Sequence, residues 1–115
     1  MSYEARVTEL GITLPGPFPP HDPLDPVVVH RGTARTSGCL PRDADGRLPA
    51  TGLLGRDVSA DDFVEQPRVA DGASRVLERV FGDAGRHTRS AIGVAALPRG
   101  APVEVEVTAA LRAGR

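Results

Sequence analysis

Lysine is absent from this sequence: all 14 basic residues are arginines, and 15 acidic residues bring the net charge to −1. Such a balance builds no positive field of the kind a phosphate backbone demands. Tryptophan is missing too, and three Phe and one Tyr make up the whole aromatic set. So few flat faces argue against a platform for stacking single-stranded bases. The single cysteine, Cys39, cannot form an internal disulfide and suits a reducing compartment. No run approaches the ~18 apolar residues of a membrane span. The N-terminal MSYEARVTELG is charged from Glu4 and lacks the apolar stretch of a secretory signal. From these absences we expect a soluble cytoplasmic protein with neither a membrane nor a nucleic-acid partner.

What is present is a modest supply of aliphatic residues. Of 115 residues, 40% are hydrophobic, so an interior must be built from Val, Leu, Ile and Ala. A chain this long buries roughly 65% of its unfolded surface, and a single domain spanning residues 1–115 is expected. Six of the 11 prolines fall between Pro15 and Pro26. Each removes an N–H donor, so residues 15–26 read as an extended segment, neither helix nor inner strand.

Beyond it, Val27–Val29 is a β-branched run, Arg31-Gly32 a turn, and 33–40 a second extended piece, which together read as a hairpin. The stretch PRDADGRLPATGLLGRDVSADD is turn chemistry, punctuated at Asp45-Gly46, Thr51-Gly52 and Gly55, and reads as a loop or a loop holding a very short strand. A helix is predicted from near Pro67 to Phe81, with Gly82 ending it. Val69, Ala73, Val76, Leu77 and Val80 make its apolar face, meant for a sheet, and Arg68, Asp71, Arg75, Glu78 and Arg79 make the other. Residues 90–97 then read as an apolar strand, PRGAP as a turn, and 103–111 as a strand in which Val103, Val105 and Val107 alternate with Glu104, Glu106 and Thr108.

Most polar residues have an ordinary explanation. His21, His30 and His87 stand far apart with no second ligand at metal spacing, so no metal site is expected. Cys39 has no CxxC partner and reads as a buried structural thiol. GTARTSG is Gly-rich but lacks the lysine and the third glycine of the phosphate-binding fingerprints. Glu104 and Glu106 fit the solvated face of a strand, and Arg89 a strand-end charge. A second reading stays open: if the two C-terminal runs pair, Arg89 and Glu104 reach nearby ends of one sheet face. An arginine fork clamps a carboxylate, and a glutamate can take a proton from water.

The stretch RSAIGVAALPRGAPVEVEV resembles the C-terminal signature of the RidA (YjgF) family of reactive-intermediate deaminases. An arginine and serine open a strand, a Leu-Pro turn follows, and a Glu-rich strand closes it. ELGITLP, TSGCLPRDADGRLPATGLLGRDVS and DFVEQPRVADGASRVLERVFGDAGRHTRS resemble one bacterial branch of that family, in the same order. The resemblance implies an α+β fold of the chorismate-mutase-like type, with a mixed sheet and a helix packed on it. It implies assembly with itself as a homotrimer, with sites in the clefts between subunits. The implied activity is hydrolysis of 2-imino or 2-enamino acids to 2-keto acids and ammonia, with no cofactor. A small carboxylate-bearing imine or keto acid is therefore the expected ligand.

By position, Arg89 matches the family arginine that holds the substrate carboxylate, and Glu104 the glutamate that orients the attacking water. Ser37 and Gly38 match the turn that lines the pocket. Ala91 stands where many members have a cysteine, so no thiol is expected there. Asp71 stands where this branch usually has asparagine. Ala60 runs directly into Asp61, where the family carries a further helix and strand. An insert of that kind is on the order of 30 residues or more, so the resemblance implies an internal deletion and a truncated sheet with one remaining helix. A degenerate member that keeps the carboxylate pocket without turnover is the alternative this leaves open.

Overall fold

The computed structural model describes residues 2–14, 24–43, 45–48, 51–52 and 66–113, with side chains of the long helix described from Ala70 onward. It divides into two compact units, Met1–Leu14 with Ala50–Pro102, and Pro15–Pro49 with Val103–Arg115.

Among the described residues, two α-helices lie in the first unit. The N-terminal one, α1 (Tyr3–Glu9), has Ser2 as its cap, the hydroxyl accepting from the Ala5 N–H at 3.2 Å. This helix is an addition to the sequence reading. Seven residues span too few turns for a periodic apolar face to show, and what anchors them is contact with distant sequence. The Tyr3 ring meets Phe81 edge-on, with centroids 4.7 Å apart and planes at 73°. Arg6 donates from Nε to the Arg79 carbonyl at 3.0 Å, placing a cation at the C-terminal end of the second helix, where the backbone dipole favours it.

That second helix, α2 (Gln66–Phe81), covers the predicted span and stops where Gly82 takes a φ of +60°. Ala73, Leu77 and Val80 are half-buried, Arg75, Glu78 and Arg79 exposed, as the periodicity requires, although Val76 is exposed as well. A 3₁₀ turn, Gly82–Gly85, then reverses the chain. Gly85 is buried against the helix backbone: a Cβ there would strike the Leu77 carbonyl oxygen and lie 2.9 Å from its carbonyl carbon. Only glycine permits this approach, and it brings residues 86–89 back beside α2.

Residues 90–97 depart from the sequence reading. Among the described residues they pair with no strand, and Ile92 and Val94 are 81% and 53% exposed. An apolar run supplies the side chains of a strand, but a strand also needs a partner backbone, and none of the described segments provides one. PRGAP forms the expected turn as a 3₁₀ segment, Pro98–Gly100, with Arg99 and Gly100 at φ +58° and +69°. Ala101 after it is buried.

The second unit is a three-stranded antiparallel sheet of order β1-β2-β3. Strands β1 (Val27–His30) and β2 (Thr33–Thr36) form the predicted hairpin, pairing Val27 with Thr36 and His30 with Thr33. Arg31 and Gly32 both have positive φ, +47° and +76°, the two-residue turn whose twist matches that of the strands. Strand β3 (Thr108–Ala110) lies on the other side of β2, with Arg35 opposite Thr108 and Thr33 opposite Ala110. Upstream of β3 the expected alternation holds: Val103, Val105 and Val107 are half-buried, and Glu104 and Glu106 are exposed. The acidic turn is organised by Asp43, whose Oδ1 accepts from the N–H groups of Asp45 and Arg47, both at 2.9 Å.

Residues 15–23 of the proline-rich segment, His21 among them, and the Ala60–Asp61 junction lie outside the described residues. Among the described residues no helix is long and apolar enough to cross a membrane.

Candidate functional site

Arg89 belongs to the first unit, and α2 decides its geometry. Asp71 and Ser74 are one turn apart, so their side chains share a face. The chain returning past Gly85 lays His87 and Arg89 against that face. Arg89 donates from Nη2 to Asp71 Oδ1 at 2.9 Å and from Nη1 to Ser74 Oγ at 3.0 Å. His87 completes the network. Its Nδ1 lies 2.6 Å from the Gly85 carbonyl oxygen and its Nε2 2.9 Å from Ser74 Oγ. A carbonyl only accepts, so Nδ1 carries the proton; in the neutral ring Nε2 then accepts from the Ser74 hydroxyl. The donors run in one direction, from the guanidinium through Ser74 and His87 to the backbone at Gly85.

This arrangement fixes the guanidinium without exhausting it. Among the described residues two of its five N–H donors are engaged, and its side chain remains 34% exposed. Asp71 is 43% exposed, and its Oδ2 is not used by Arg89. The pair can therefore meet a ligand.

Glu104 belongs to the second unit, with Ser37 and Gly38. The strand predicted over 103–111 is regular only at Thr108–Ala110, because between β2 and the segment bearing Glu104 the ladder is interrupted. Thr36 donates its N–H to the Val107 carbonyl at 2.9 Å, but the Val107 N–H turns to the Thr36 hydroxyl at 3.0 Å. Pairing resumes at Cys39, which exchanges both backbone bonds with Val105, at 2.7 and 3.0 Å. Arg35 to Cys39 is four steps while Thr108 to Val105 is three, so one extra residue bulges out on the Ser37-Gly38 side. There the Glu104 side chain lies across the bare Cα of Gly38. A Cβ on Gly38 would overlap the carboxyl group and sit 2.6 Å from its carbon.

The residues singled out from sequence thus fall into two groups, Ser37, Gly38 and Glu104 in one unit and Arg89 in the other. Ser74 and His87 were not among them. The signal available for Ser74 was its three-residue spacing from Asp71 on a helix, and for His87 its place two residues from Arg89. Glu106 acquires a role as a surface charge, 3.8 Å from Arg35 with both side chains about two-thirds exposed, a pair worth little. Cys39, expected to be buried, is exposed, because it stands at the resumption of the ladder next to the bulge.

No protein-family model matches the chain. Among solved structures, a protein of Shewanella oneidensis MR-1 called a "putative endoribonuclease" superposes with a TM-score of 0.83 at 22% identity, over 96% of this chain and 100% of that one. The chain has a RidA-like α+β fold. A second protein with the RidA-like fold, Atu1372 of Agrobacterium tumefaciens, described as of unknown function, matches with a TM-score of 0.78 at 29% identity, over 96% of this chain and 92% of that one. In sequence, a 49-residue stretch is 55% identical to Protein TCP17 of Trypanosoma cruzi, covering 42% of this chain. The match spans about a third of that relative's length, 31%.

Proposed function

We propose that the protein is a hydrolytic deaminase of 2-imino and 2-enamino acids, releasing 2-keto acids and ammonia without a cofactor. The observation that carries this reading is the state of Arg89: oriented by Asp71 and Ser74, partly exposed, and with donors to spare for a carboxylate. The RidA-like fold supports it, since the sequence signature that resembles the RidA deaminases is threaded on the matching architecture.

In this reading Arg89 holds the substrate carboxylate and Glu104 orients water toward the imine carbon, with Ser37 and Gly38 lining the pocket. Water oxygen bonds to that carbon, a water proton passes through the Glu104 carboxylate to nitrogen, and the C–N bond breaks with its electron pair leaving on ammonia. The remaining hydroxyl proton passes to the departing nitrogen as the ketone forms, which completes the ammonia. A homotrimer with sites in the clefts between subunits belongs to the same proposal, as does a single domain over residues 1–115 acting in the cytoplasm.

An RNA-cleaving role, suggested by the Shewanella protein's name, finds no support in a net charge of −1 and four aromatic residues, three Phe and one Tyr. The decisive assay follows keto-acid release from freshly generated 2-iminopropanoate. Release should rise with the protein and return to background with Arg89→Ala. If the wild-type protein is inert yet binds 2-ketobutyrate, the chain is a carboxylate-binding protein, and the catalytic reading is wrong.

A further inference from the structure

An arginine that serves only to attract carboxylates is best left uncompensated. Here the opposite is found: Asp71 places a full negative charge 2.9 Å from Nη2 of Arg89. Together the two side chains have no net charge, so a plain anion gains from the guanidinium and loses to the carboxylate. A ligand with adjacent positive and negative groups escapes that cancellation. Its carboxylate can take the free guanidinium donors while its cationic N–H meets the Asp71 oxygen that Arg89 leaves unused.

We propose that Asp71 and Arg89 form a recognition pair for zwitterions. Resting on the deaminase reading, the inference is that substrate is bound as the protonated 2-iminium carboxylate. The carboxylate lies on Arg89, and the iminium N–H donates to Asp71. The nitrogen and the carboxylate carbon of such a ligand are both bonded to one carbon, a separation suited to two protein charges already in contact. Ser74 and His87 contribute by fixing the Nη1 side of the guanidinium, so that its remaining donors keep a constant direction.

Selectivity for one step of the reaction follows. The substrate carries its cationic nitrogen into the site, but hydrolysis removes it as ammonia. The product keto acid is a simple anion facing Asp71, and it leaves a site that no longer complements it.

Stable ligands test this with the full-length protein. Binding of 2-aminobutyrate, whose ammonium stands in for the iminium, is compared with binding of 2-ketobutyrate by chemical-shift titration. The wild-type protein should favour the amino acid. Asp71→Asn, which keeps an oxygen acceptor for Nη2, should shift the preference about tenfold or more toward the keto acid, the loss of one charge-assisted hydrogen bond. Arg89→Gln should weaken both ligands. An unchanged preference in Asp71→Asn, with both ligands still lost in Arg89→Gln, overturns the zwitterion pair and leaves the carboxylate site standing. Failure of the wild-type protein to bind either ligand overturns both.

Discussion

Glu104 rests on Gly38: the carboxylate occupies the space that a side chain at residue 38 would fill. Replacing Gly38 with alanine should therefore displace Glu104 while leaving the Cys39–Val105 pairing intact. We expect turnover of 2-iminopropanoate to fall at least about tenfold, in the range of general acid–base contributions, with far-UV circular dichroism unchanged. Retention of full activity by Gly38→Ala would show that Glu104's position is not used.

Gly85 makes a harder demand, because the obstacle is backbone. A methyl group there meets the Leu77 carbonyl, which cannot move without breaking a turn of α2. Gly85→Ala should cost about 1–3 kcal/mol, the usual penalty of overpacking, measured by urea denaturation. It should also weaken ligand binding, since Gly85 accepts the His87 bond and sets the return of Arg89 to the helix.

The hairpin turn offers a milder test. Gly32 has a φ of +76°, and a Cβ added there would meet beyond its chain neighbours only the Leu111 carbonyl oxygen, at an uncrowded 3.8 Å. Gly32→Ala should cost about 1 kcal/mol through backbone strain alone. Gly32→Asn, which tolerates the left-handed region, should recover part of it in the same melt.

Acid should loosen α1 before the rest of the first unit. The Glu4 backbone N–H and the Ser2 hydroxyl hold the Glu4 carboxyl below its ordinary range. A lowered value in the folded state means the contribution is complete above the unfolded value and disappears as pH falls through the folded one. Tyr3 and Phe81 ring resonances followed from neutral to acid pH should report the loss, and Glu4→Gln should flatten that response.

Sequence and structure agree where the signal is local. The left-handed pair Arg31-Gly32 and the helix stop at Gly82 were legible because backbone conformation there depends on the residue itself. The alternation of Val103, Val105 and Val107 with the glutamates held for the same reason. What could not be read depends on partners. Ile92 and Val94 look like strand residues, but no apolar pattern supplies the neighbouring backbone. α1 depends on Phe81 and Arg79, more than seventy positions away. In the candidate site, the identity of Arg89 was legible, but its engagement with Asp71, Ser74 and His87 required the reversal at Gly85.

The bulge beside Ser37 and Gly38 separates two obligations usually fused in a strand. Pairing of Arg35 with Thr108 and of Cys39 with Val105 would be uninterrupted in a chain one residue shorter. The sheet therefore does not require the surplus residue. Removing Ser37 alone should yield a protein that folds with a continuous ladder, in which Gly38 is drawn into regular pairing and out of the bulge that seats Glu104, an architecture kept whole with its chemistry excised.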